Sequence, residues 1–241
     1  KARSIPDDQK PFQMRSYATM SQYRIVYEQT SEHLGSAEHV LDWGCGNGHF
    51  SLFLQDHDVE TVGYGYLPPP PFLEQDPSFR FVPGIEGDPV HLPFRDESFD
   101  AVFSVGVLEH VHQLGGDQKK SVEELMRILK PKGKFFVFHL PNKYSWIEFV
   151  VRRYNQVFGT KIHAHSRLYT ERRFMDLFAG MNVDVIAKGR YNIVPRNGMS
   201  RLPVGISNSR ALVSVVNAAD AAIGRILPAL CQNWFFVVEK G

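Results

Sequence analysis

Three glycines at alternate positions, Gly44, Gly46 and Gly48, follow an apolar run that contains Asp42. Glycine lacks a Cβ and tolerates positive φ, so such a turn lets backbone N–H groups approach a ligand closely. Residues 50–54 read as a helix start, whose dipole places partial positive charge at the same spot. A dinucleotide fingerprint needs its third glycine at position 49, which is His49, and a Walker loop needs Gly-Lys-Ser/Thr, which this turn lacks. Both nucleotide readings are therefore disfavoured. A second set of reactive side chains lies downstream. His110 and His139 each stand just beyond an apolar run, and imidazole is the usual proton acceptor near neutral pH. His163 and His165 are two residues apart with no Asp, Glu or Cys beside them. That is a poor ligand pattern, and no metal is expected.

The elements that must position these groups alternate. Strand-like runs cover about 40–43, 60–66, 79–85, 99–105, 134–140, 182–188 and 234–239. Helical spacing covers 17–34 (ended by Gly35), 121–129, 146–158 and 171–181. In 121–129 the residues Val122, Leu125, Met126 and Leu129 share one face. Alternation of this kind predicts an α/β fold, a doubly wound and mostly parallel sheet of seven strands with an antiparallel last strand. Ligands of such sheets bind at the C-terminal edge of the strands, where the glycine turn, Asp88, His110 and His139 all fall.

The strand–D-W-G-C-G-N-G–helix run resembles motif I of the class I S-adenosylmethionine-dependent methyltransferases. The likeness continues in order through G-D-P-V-H-L-P-F (87–94), D-E-S-F-D-A-V (96–102), V-L-E-H-V (107–111) and L-K-P-K-G-K (129–134). Each piece alone is weak, but five in order over residues 38–142 are specific. The resemblance implies S-adenosylmethionine as cofactor, held by Asp42, Trp43, Gly44, Cys45, Gly46 and Gly48, with Tyr66, Asp88, Pro89, Val90 and Gly106 completing its site. The family's small-molecule or lipid-type branch is the expected one. Methyl transfer to an oxygen or carbon of a small or lipid-linked acceptor is then the expected activity. His110 or His139 would act as the base, and Asn142, Tyr144, Arg167 and Tyr169 would orient the acceptor. An aromatic of 17–34, Tyr17 or Tyr23, often touches the cofactor in this family. One departure stands out. The acid that normally ends the second strand and holds the ribose is Gly65 here. The alternative is therefore a non-catalytic donor-binding scaffold with a weakened ribose contact. The D/N-P-P-Y/F motif of amino-group methylases is replaced by Ser104-Val105-Gly106-Val107.

Composition sets outer bounds. With 241 residues, 43% of them hydrophobic, one domain with a full core is expected. It divides into an arm (1–15), a helix (16–35), a cofactor-binding core (36–190), an inserted lid (191–231) and the last strand (232–241). A net charge of +1 announces no basic face for nucleic acid. Two cysteines suit a reducing, cytoplasmic location. Prolines 68–71 rule out a regular helix through that stretch, and 191–206 reads as a mobile loop rich in Gly, Pro and Arg. In the insertion, Leu212, Val215, Val216, Ala219, Ile223, Ile226 and Leu227 recur at helical spacing, opposite Arg210, Ser214, Asn217 and Gly224. This helix, ending at Pro228, would cover the acceptor and either pack on its own sheet or touch a membrane surface through 209–227.

Overall fold

The computed structural model describes residues 5, 10–69, 71–162, 164–196, 199 and 202–241. Seven strands form one sheet: β1 (His39–Trp43), β2 (Glu60–Gly65), β3 (Phe79–Pro83), β4 (Phe99–Val105), β5 (Leu129–Pro141), β6 (Val183–Tyr191) and β7 (Asn233–Lys240). Their order is β3-β2-β1-β4-β5-β7-β6. The pairs among β1 to β5 are parallel, while β7 runs antiparallel to both β5 and β6. The sheet is the expected one.

Successive side chains on a strand point to opposite faces, so each buried strand feeds two cores. Leu41, Trp43, Val102, Phe135, Val137, Phe236 and Val238 pack on one face, against α5 (Gln118–Ile128) through Val122, Leu125 and Met126. Their neighbours Val40, Ala101, Phe103, Phe136, Phe138 and Val237 pack on the other. There they meet Val26 of α2 (Arg24–His33) and Phe50 and Leu54 of α3 (His49–Gln55). Burying each large apolar side chain contributes about 1.5–3 kcal/mol, which makes this two-sided alternation the main force aligning the strand ends.

The helix expected over 17–34 is two helices, α1 (Tyr17–Ser21) and α2. Ser16 and Thr19 form a capping box on α1, and the joint at Gln22 and Tyr23 brings the Tyr23 ring edge-on to His49 and His139, at 4.6 and 4.8 Å. Of the arm, residues 1–4 and 6–9 lie outside the described residues. Its inner end is held: Phe12–Met14 form a 3-10 turn, and Gln13 Oε1 accepts from Asn47 Nδ2 at 2.8 Å. The proline run meets α4 (Pro71–Glu74) only at its last member, a position where the absent N–H costs nothing. Beyond β5 come α6 (Trp146–Phe158), an irregular loop, and α7 (Glu171–Met175), shorter than the expected 171–181 because a 3-10 turn, Asp176–Phe178, follows it.

The insertion holds α8 (Val204–Ser207) and α9 (Arg210–Ile226). Residues 197, 198, 200 and 201 lie outside the described residues, but the start of the expected mobile loop is anchored. Arg196 is buried and its guanidinium meets Asp220 Oδ2 at 3.1 Å, while its Nη1 donates to Asn217 Oδ1 at 2.6 Å and to Ser21 Oγ at 3.0 Å. Asp220 Oδ1 also accepts from Val194 N at 2.8 Å. These bonds orient α9. Val213, Asn217 and Asp220 face the protein, and the apolar stripe of Leu212, Val215, Ile223 and Ile226 is exposed, 65% at Val215 and 76% at Ile226. The helix therefore does not pack its apolar face on the sheet. Among the described residues no helix is long and apolar enough to cross a membrane.

Candidate active site at the strand ends

The turn after β1 is built by three glycines in the left-handed region, Gly44, Gly46 and Gly48, at φ of 76°, 51° and 72°. Gly44 is required twice over, since a Cβ there would lie 2.5 Å from Val107 Cγ2. At Gly46 a Cβ would meet only the Gly44 carbonyl oxygen, at 3.8 Å, so the turn leaves open space above it. That is the cradle a donor's amino-acid end requires. Gly44 and Cys45 both donate to the Tyr64 carbonyl, at 2.8 and 3.0 Å, and lock the turn to the end of β2.

Asp42 stands behind this turn. It is buried and accepts from Ser51 Oγ of α3 at 2.6 Å, and burial pushes its carboxyl up to about 6. The side chain ties β1 to α3 and braces the turn from behind. Trp43 and Cys45 also turn their side chains into the protein, so their backbone alone can meet a donor. Asp88 uses Oδ1 to accept from His91 N at 3.0 Å and Val90 N at 3.1 Å, which fixes the Pro89–Val90 turn and holds its carboxyl below the usual range. The Tyr66 hydroxyl reaches the Asp88 carbonyl at 3.5 Å, and its ring covers Gly84, leaving the residue half exposed at 49%. A Cβ on Gly65 would meet only ordinary contacts, Cys45 Sγ at 3.7 Å being the nearest. A side chain therefore fits where the ribose acid is missing.

Next to the donor turn opens a pocket of about 340 Å³. Gly106, Glu109, His110, His139, His165 and Arg196 line it, and α1 and Tyr23 close one side. Gly106, at φ 73°, lets the chain turn sharply out of β4 into the 3-10 turn Leu108–Leu114, which carries Glu109 and His110. His139 projects from a bulge where β5 slips register against β7 between Val137 and Leu140. Its φ of 58° is a strained value for a non-glycine residue, of the kind that re-aims side chains beside active sites. Its N–H donates to the Tyr191 hydroxyl at 2.8 Å. Its Nε2 is buried and without a hydrogen-bond partner, and burial lowers its pKa to about 4. The imidazole is therefore neutral at pH 7. The Glu109 carboxyl is pushed up to about 8 by burial.

Three of the four expected acceptor residues are committed elsewhere. Asn142 is fully buried, with Nδ2 donating to the Ala229 and Cys231 carbonyls at 2.7 Å each. Tyr169 is buried in the core with its hydroxyl against Gln118 Nε2, and Arg167 Nη1 donates to Gln118 Oε1 at 2.6 Å. These bonds brace the loop after α6 and build the pocket wall from behind. Tyr144 is exposed, with Lys143 near its ring, and does not line the pocket. The residues that do line it include Gln13, Gln22, Asn192 and Asn233. No local pattern marked them, because they come from four separate segments. His163 lies outside the described residues. His165 lies in the wall, and the acidic partners it lacks in sequence are supplied by the fold: Glu148 Oε1 at 2.6 Å from Nδ1, with Glu109 nearby.

Residues 41–137 match the methyltransferase domain family. That segment is what this chain shares with the S-adenosylmethionine-dependent methyltransferases that its motifs resemble. A probable tRNA methyltransferase 9B of Homo sapiens is 33% identical over 101 residues, 41% of this chain and 20% of the human protein. An uncharacterized protein of Methanocaldococcus jannaschii is 33% identical over 129 residues, 52% of each chain. The chain thus spans from a fifth to about half the length of curated relatives it matches. Among solved structures, the 1,6-didemethyltoxoflavin-N1-methyltransferase of Burkholderia thailandensis, with bound 1,6-didemethyltoxoflavin and S-adenosylhomocysteine, has a TM-score of 0.57 at 17% identity. The match covers 90% of this chain and 77% of that one. The methyltransferase fold therefore extends past the matched segment through β6 and β7.

Proposed function

We propose that this protein moves the methyl group of S-adenosylmethionine to an oxygen or carbon of a small or lipid-linked acceptor. The observation that carries the reading is the pocket beside Gly106, whose wall brings His110, His139, His165 and Glu109 together next to the glycine turn. When bound, the donor supplies an electrophilic sulfonium methyl, so the protein's work is alignment and exclusion of water. The turn at 44–48 would hold its amino-acid end, and the Asp88–Val90 turn with Tyr66 its adenosine. Neutral His139 is in the protonation state that accepts a proton from an acceptor hydroxyl, and His110 is the second base within the same pocket. The pocket's volume of about 340 Å³ suits a small molecule or the reactive end of a larger one.

The lipid-linked end of that range is supported by the outward stripe of α9 and by α6, where Phe149 and Phe158 are 71% and 65% exposed. Sedimentation with anionic and neutral liposomes tests this. The intact chain should pellet with one or both, and Val215→Ser with Ile223→Ser and Leu227→Ser should stay in solution. An intact chain that never pellets removes the membrane contact.

The decisive experiment titrates S-adenosylmethionine and S-adenosylhomocysteine calorimetrically and then follows methyl release with phenolic, lipid-linked and transfer-RNA acceptors. Donor binding with turnover on the first two classes is expected. Donor binding with no turnover on any acceptor favours the scaffold alternative, and methylated RNA would overturn the small-acceptor reading.

A further inference from the structure

Glu109, His110 and His165 form, among the described residues, a group whose potential ligand atoms all lie within 4.8 Å of one another. They arrive from two places, the 3-10 turn after β4 and the loop after α6. Two observations separate this group from a chance meeting of polar side chains. The first is an orphaned buried carboxylate oxygen. Glu109 is 3% exposed, and its Oε2 has no hydrogen-bond partner. A buried carboxyl oxygen left without partners is costly, and native proteins usually satisfy it with a donor or a cation. The second is the support behind His165. Although this residue sits in an irregular loop, its Nδ1 meets Glu148 Oε1 at 2.6 Å, its N–H donates to Glu148 Oε2 at 3.3 Å, and its carbonyl accepts from Arg152 Nη2.

A carboxylate on Nδ1 fixes the tautomer that leaves the lone pair on Nε2. That is the arrangement found behind metal-bound histidines. Glu148 is itself buried, capped by Ser145 Oγ at 3.2 Å through its own N–H. The ring is therefore aimed by groups that play no other part in the pocket.

We propose that Glu109, His110 and His165 bind one divalent transition-metal ion, zinc or a metal of similar preference, in the wall of the acceptor pocket, with Glu148 as the positioning carboxylate. Two imidazoles and one carboxylate suit zinc in its three-ligand form, which keeps a position open for an outside oxygen. Ligand atoms about 2.1 Å from a tetrahedral ion lie roughly 3.4 Å apart. His110 Nε2 and Glu109 Oε1 already stand 3.9 Å apart, so small side-chain rotations close the site.

The ion's open position would serve the pocket that Gly106, Glu109, His110 and His165 line. Resting on the methyl-transfer reading, the preferred acceptor is a hydroxyl, best a vicinal or phenolic one, whose oxygen the ion would hold. Its O–H proton would pass to His139 Nε2 in the same pocket. The oxygen's electron pair then forms the C–O bond as the C–S bond breaks and its pair returns to sulfur. No oxidant or reductant is needed.

The test reads metal, not turnover. Protein stripped with a chelator is titrated with Zn²⁺ against a chromophoric competitor and with Co²⁺ by visible absorption, for the full chain and for Glu109→Gln, His165→Gln and Glu148→Gln. One equivalent is expected for the intact chain, with low-symmetry cobalt bands. Affinity should fall at least tenfold in Glu109→Gln and His165→Gln, and about 10–100-fold in Glu148→Gln. His39→Ala, at the N-terminal end of β1, should bind as the intact chain does. S-adenosylhomocysteine binding, measured on each variant, shows that the fold and the donor site persist. No stoichiometric metal in the intact chain, or equal affinity in all variants that still bind S-adenosylhomocysteine, overturns the proposal. Metal binding without any methyl transfer leaves the site standing and removes the catalytic reading instead.

Discussion

Asp42 shows how a buried motif residue bears on stability. Its carboxyl titrates near 6 in the folded chain against about 4 when unfolded. The folded state then binds more protons between those values, so this group's contribution to stability is greatest below about pH 4 and is lost as pH rises towards 6. Above pH 6 the ionised, buried group costs on the order of 3 kcal/mol. Asp42→Asn keeps an acceptor for Ser51 and should raise the melting temperature at pH 8 while leaving it nearly unchanged at pH 4. Thermal unfolding at both values checks the sign. Gly65 gives the complementary test. Its backbone admits a Cβ with no contact closer than 3.7 Å, so Gly65→Asp should tighten S-adenosylhomocysteine binding by about 1–3 kcal/mol, the worth of a charged hydrogen bond to a ribose hydroxyl. Calorimetry reads this directly, and an unchanged affinity would mean that the ribose does not lie against the end of β2.

At the scale of elements, the insertion is held by charge rather than by grease. The Arg196–Asp220 pair is almost fully buried and joins α9, α1 and the chain leaving β6. Removing one partner strands the other, so Asp220→Ala should cost about 3–5 kcal/mol in chemical denaturation. Replacing both by apolar residues, Arg196→Met with Asp220→Leu, should recover much of that loss, because the desolvation cost disappears with the charges. Since Arg196 lines the pocket, the double variant would separate what the pair does for stability from what the guanidinium does for an acceptor.

For the whole molecule, the last strand is an internal one. β7 lies between β5 and β6 and buries Phe236, Val237 and Val238 completely. Until it is placed, β5 has an open edge and β6 has no neighbour in the sheet. A chain ending at residue 232 should therefore lack a cooperative thermal transition and bind extrinsic hydrophobic dye. Pairings this distant in sequence also carry loop-closure cost, so β7 docking is expected late in folding.

The strands, their two-sided burial and the glycine turn were legible because each rests on local rules: period-two alternation, glycine's access to positive φ, and an ordered run of short motifs. That local information was enough for the fold and for the turn after β1. The acceptor side was not legible in this way. Asn142, Arg167 and Tyr169 look like ligand-binding residues in sequence, yet the fold spends them on the Ala229 and Cys231 carbonyls and on Gln118. The outward turn of α9 was likewise hidden, since helical spacing locates an apolar face but not what it meets. His165 looked unpartnered until tertiary packing brought Glu148 and Glu109 beside it. A pocket wall drawn from segments up to about 220 residues apart is fixed by three-dimensional closure of the sheet, and no local spacing encodes it.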